Sequence, residues 1–89
     1  MARLCINRDV ELDDEKVASL KQLVSDELGG HGITTEWSGD QARVHSRSVR
    51  GNCVLNNTRV EIDLKLDFLA SMFKHTIEKH LNEYLDDLG

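Results

Sequence analysis

Nothing in this chain constrains its fold as tightly as the run Thr58-Arg-Val-Glu-Ile-Asp-Leu-Lys-Leu66, where apolar and charged residues alternate before the period lengthens to that of a helix ending at Leu88. Val60, Ile62, Leu64 and Leu66 share one face and Arg59, Glu61, Asp63 and Lys65 the other, the pattern of a half-buried strand. Asp67 to Ser71 leaves almost no linker, so the helix must fold back onto the same sheet. At 100° per residue, Phe73, Ile77, Leu81, Tyr84 and Leu88 cluster together, flanked by Leu69, Met72, His80 and Leu85. This arc is wider than the stripe a helix needs on a flat sheet, which predicts a helix cradled by a curved sheet and a second helix, or one shared with another subunit. Asp86 and Asp87 stand at the negative end of its dipole, where fraying is expected.

The remaining elements follow from local signals. Ala2 to Asn7 reads as a short strand with Leu4 and Ile6 on one face and Arg3, Cys5 and Asn7 on the other. Asp13 or Asp14 caps a helix whose Val17, Leu20, Val24 and Leu28 form a narrow stripe, and Gly29-Gly30 stops it, one of the two left-handed. Ile33, Thr35 and Trp37 share a strand face. A turn at Gly39-Asp40 leads to a strand in which Ala42, Val44 and Ser46 alternate with Arg43, His45 and Arg47, and Gly51 opens the next strand, through Cys53 and Leu55. Asn56-Asn57 suits a type I′ turn into the strand at 58–66. The order is β-α-β-β-β-β-α, an α+β two-layer sandwich with an antiparallel sheet and both helices on one face. Pairing the first strand with the last gives a small helix-grip arrangement.

Composition narrows the function classes. With 89 residues the chain is expected to form a single domain over 1–89. Its net charge of −5 opposes nonspecific binding to nucleic acid or anionic lipid. No apolar run is long enough to span a bilayer and no signal-peptide core is visible, so a soluble, cytoplasmic protein is expected. Cys5 and Cys53 sit in no metal or redox motif and read as two reduced packing residues.

Candidate chemistry is sparse. His31 lies in a glycine-rich turn, His45 on a polar strand face, and His75 and His80 are out of register on the last helix, so no metal site, cofactor or catalytic residue is assigned. His80 borders the apolar stripe, where a partly buried, hydrogen-bonded role is expected. A Cys53/His45 pair on neighbouring strands lacks an orienting third group, and no enzymatic activity is expected. The polar sheet face offers Arg43, Arg47 and Arg59 beside His45, Glu61 and Asp63, with Arg50 extending the set: cross-strand ion pairs in the simple reading, an anion or partner site in the sharper one.

A family resemblance is carried by Trp37-Ser-Gly-Asp40, Ser48-Val-Arg-Gly51, Arg59 through Leu69, and Phe73 through Leu85. In these patches, and over nearly its whole length, the chain resembles the small bacterial family of polyhydroxyalkanoic acid system proteins. It departs at Asp67, where relatives commonly carry glycine, and near His45, where they commonly carry an aromatic. The resemblance implies a setting at polyhydroxyalkanoate storage granules and no assigned catalytic residues.

The leading expectation is therefore a non-enzymatic accessory protein of the storage system, acting by granule-surface or protein–protein association. Trp37, Phe68, Leu69 and Met72, near the helix–sheet seam, are the candidate docking residues. The alternative is a small carrier holding an acyl or hydroxyacyl ligand between the last helix and the sheet, although Trp37, Phe68, Phe73 and the leucines are expected to fill that space. Homodimerisation through the last helix or an open sheet edge is compatible with either.

Overall fold

The computed structural model describes residues 2–88, apart from the side chain of Leu88, so the place of that side chain on the apolar stripe lies outside the described residues. Strand β1 (Ala2–Asp9) leads into helix α1 (Asp14–Gly29), followed by β2 (Thr34–Ser38), β3 (Gln41–His45), β4 (Val49–Leu55), β5 (Arg59–Leu66), a 3-10 turn at Ala70–Phe73 and helix α2 (Lys74–Leu88). The five strands form one antiparallel sheet in the order β1-β5-β4-β3-β2. Helix α1 thus carries the chain from one edge of the sheet to the other. Four strands then return as a meander until β5 meets β1, the pairing expected from the sequence.

Asp13 caps α1 by accepting a hydrogen bond from the Lys16 amide at 2.8 Å, and Asp14 and Glu15 favour the positive end of its dipole. Val17, Leu20, Val24 and Leu28 are buried as the stripe requires. The expected left-handed residue is displaced, however. Gly30 is right-handed at φ −63°, and the positive φ falls on Gly32 at +75°, after which the Ile33 amide reaches back to the Leu28 carbonyl. Gly39 supplies the positive φ of the β2–β3 hairpin.

The β4–β5 connection is not a type I′ turn, because no residue other than glycine has a positive φ among the described residues. The Asn56 side chain closes it instead, accepting from the amides of Thr58 and Arg59 at 3.0 and 2.9 Å. Asn57 turns the other way and donates to the Leu12 carbonyl and to Asp14, tying this loop to the start of α1.

Helices α1 and α2 lie side by side on one face, α1 over β2 and α2 towards β1. The core between them and the sheet is aliphatic: Leu4, Leu20, Leu28, Leu55, Ile62, Leu64, Leu66, Ile77 and Leu81 are fully buried. Only Ile77, Leu81 and Leu85 of the described α2 side chains are buried, with Tyr84 packed at the margin, so the cradle accepts a narrower stripe than the sequence presents. Phe68 and Phe73 do not fill the interior as expected. They project at the corner: Phe68 lies in the connection between β5 and the 3-10 turn, and Phe73 ends that turn, which rotates it off the buried face before α2 begins. The helix end expected to fray is tied to β1 by an ion pair between Arg8 and Asp86 at 2.9 Å.

Candidate functional site

The corner between β5 and α2 collects the exposed apolar surface. Phe68 is 80% exposed, Met72 73%, Leu69 64% and Phe73 48%, in a protein whose other large apolar residues are mostly buried. Asp67 shapes the corner: its carboxylate accepts from the Ala70 amide at 2.9 Å, its carbonyl from Ser71, and its own amide donates to the Ser48 carbonyl. The Asp67 carboxylate thus satisfies a donor of the turn that water would otherwise have to serve.

Behind these residues lies a half-open cleft of about 190 Å³, floored by Ile33, Val49 and Ile77 and walled by His31, Leu69 and Phe73. The rings of His31 and Phe73 meet at a centroid distance of 5.3 Å. Arg47 lines the same cleft. It is not on the polar sheet face as expected, because β3 ends at His45 and Ser46 folds the chain into a turn, its hydroxyl accepting from the amides of Ser48 and Val49.

Trp37, expected beside Phe68, Leu69 and Met72, is elsewhere. It pairs with Ala42 near the far end of the β2–β3 hairpin, donates its indole N–H to Ser25 at 2.8 Å, and lies under the Lys21 ammonium at 5.5 Å. The structure therefore unites Phe68, Leu69 and Met72, removes Trp37, and adds Phe73.

The arginines also separate. Arg43 lies mid-sheet opposite Asn52 and Glu36, whereas Arg59 is at the opposite end of β5, paired with Glu61 at 2.9 Å. The residues that do gather on the open face are Arg3, Arg43, Arg50 and Lys65, with His45 beside them. The sequence places Arg3 and Lys65 on outward strand faces but does not join them to the arginine set, because only the strand pairing sets β1 and β4 on either side of β5.

Glu27 joins the two helices in a way the sequence did not signal. Its carboxylate meets His80 Nδ1 on α2 and lies 3.7 Å from His31 Nε2. Burial, and then the Glu27 charge, hold the neighbouring Tyr84 phenol above its usual range. His80 is hydrogen-bonded and half-buried, as expected. The other polar candidates stay apart: Cys53 is buried opposite Ala42 and Ile62, while His45 is exposed and paired with Glu36 at 3.1 Å. Cys5 is exposed, not a packing residue, since odd positions of β1 face away from the helices. Among the described residues no group of three or more His, Cys, Asp or Glu is placed to hold a metal ion, and no helix is long and apolar enough to cross a membrane.

The same architecture is found in a solved structure. The NMR structure of PA4090 from Pseudomonas aeruginosa is similar with a TM-score of 0.55 at 15% sequence identity, over 93% of this chain and 83% of that one, a likeness that speaks for the fold alone. No curated protein matches the chain. A family model described as "Putative polyhydroxyalkanoic acid system protein" matches residues 5–88. With almost every residue of the sheet and both helices inside that match, the chain belongs to this polyhydroxyalkanoic acid system family.

Proposed function

We propose that this protein is a non-enzymatic accessory component of polyhydroxyalkanoate storage, cytoplasmic, and that it associates with the granule surface through the corner formed by Phe68, Leu69, Met72 and Phe73. The observation that carries this reading is the exposure of four large apolar residues in one short stretch of chain, on a molecule whose core is otherwise closed. Burying such side chains against an apolar surface contributes about 1.5–3 kcal/mol each, enough in combination for reversible attachment. The family supplies the setting. A protein component of the granule coat is the partner that would present a comparable apolar surface.

The carrier alternative needs room between α2 and the sheet. That space is occupied by Ile77, Leu81, Leu4, Ile62 and Leu64, and the cleft at the corner is smaller than the ~300 Å³ at which ligand pockets usually begin. The filled interior favours surface association.

Co-sedimentation with isolated granules tests the proposal. The native protein is expected in the granule fraction and the Phe68→Ser/Met72→Ser variant in the supernatant, with unchanged circular dichroism. Native protein that stays wholly soluble while granules are abundant would rule the proposal out.

A further inference from the structure

The open face of the sheet carries a charge arrangement that its own stability does not explain. In the strand register Lys65 of β5 stands directly opposite Arg3 of β1 on one side and Arg50 of β4 on the other, and Arg50 in turn faces His45 of β3. Like charges directly opposite one another weaken a sheet. Only Arg3 of the three is relieved by an ion pair, through a fork in which its Nε and Nη2 reach the two Asp63 oxygens at 2.7 and 2.5 Å. Arg50 and Lys65 have no acidic partner within 4 Å among the described residues, and neither helix covers this face. Arg43 lies one row down on β3, beside the same shallow depression.

We propose that the row Arg3, Lys65 and Arg50, with Arg43 beside it, is a docking surface for an acidic polypeptide segment. The geometry favours a chain over a single anion. The residues that carry these cations stand on three adjacent strands whose backbones are about 4.8 Å apart, so they are distributed across the sheet. That backbone spacing approaches the ~5–6 Å between the Cβ atoms of residues three or four apart on a helix. The net charge of −5 repels an extended polyanion or an anionic membrane at long range, whereas a short segment senses the local row. Asn52, in the next row, can donate to a backbone carbonyl and accept from a backbone amide, while Glu36 in that row is engaged by His45 at 3.1 Å. This surface lies on the face opposite the helices and is independent of the apolar corner.

The test is an NMR titration of the isotope-labelled full chain with decaglutamate, run in parallel with a polyphosphate of equal charge and with anionic phospholipid vesicles. Amide shifts confined to Arg3, His45, Arg50, Lys65 and their strand neighbours are expected, with affinity falling as salt is added. Arg50→Gln/Lys65→Gln should weaken binding about tenfold or more. Lys79→Gln on α2 should leave binding unchanged. Because the double variant removes repulsion, its melting temperature should equal or exceed that of the native protein. Absence of shifts on the row, polyphosphate or vesicle binding as tight as that of decaglutamate, self-association through the same residues without peptide, or a lowered melting temperature in the double variant would each overturn the proposal.

Discussion

The indole N–H of Trp37 donates to the Ser25 hydroxyl at 2.8 Å, locking the edge strand β2 to the C-terminal half of α1. Trp37 is therefore an anchor between layers. Ser25→Ala leaves this partly buried donor without its partner and should lower stability by about 1 kcal/mol in urea denaturation, while granule co-sedimentation stays at the native level.

Gly51 is required by the close approach of two backbones. A Cβ at this position would lie 2.0 Å from the Asp63 carbonyl oxygen and 2.8 Å from the Leu64 Cα, contacts that no side-chain rotation can relieve. Gly51→Ala should cost about 3 kcal/mol or more, a large share of the ~4–13 kcal/mol available to a domain of this size. The measurement is the chemical-denaturation midpoint, and an alanine variant of native stability would contradict the pairing of Gly51 with Leu64 across β4 and β5.

Burial pushes the Cys53 thiol up to about 12. Above the ordinary thiol range, near 8.5–9, the unfolded chain has released a proton that the folded chain retains, so stability should fall as pH rises, by about 1.4 kcal/mol per unit until the folded thiol itself ionises. Cys53→Ala should remove that contribution and leave only the one that the raised Tyr84 phenol makes at higher pH. Thiol reagents at mildly alkaline pH should modify exposed Cys5 at once and Cys53 only after unfolding.

The hydroxyl of Thr35 is buried without a hydrogen-bond partner among the described residues. Thr35→Val keeps the branched shape suited to β2 and removes the desolvated oxygen, so a gain of about 1 kcal/mol in thermal or chemical denaturation is expected. A loss of similar size would mean that the oxygen is served by an ordered water.

The elements themselves were legible because they rest on local periodicity. The alternation of 59–66, the stripe from Val17 to Leu28 and the Asp13 cap each describe a relation between near neighbours, and each appears in the structure. What misled were residues whose fate depends on a turn. Arg47 looked like the next outward position of a strand that Ser46 had already ended, and Asn56 closed its loop with a side chain instead of a positive φ. The docking residues were partly legible: Phe68, Leu69 and Met72 are close in sequence, whereas Trp37 was grouped with them without knowledge of the end of β2 on which it lies.

The amino-acid sequence by itself determined the order of elements, the oily and charged faces of the strands and the closure of one core, since hydrophobic periodicity acts over a few residues and requires no partner. Only the tertiary structure decided that Phe68 and Phe73 stand outside that core, that Glu27 meets His80, and that Arg3, Lys65 and Arg50 form one row. Those relations join residues far apart in the chain, and they exist because strand register and the pitch of a single 3-10 turn set which side chains share a surface.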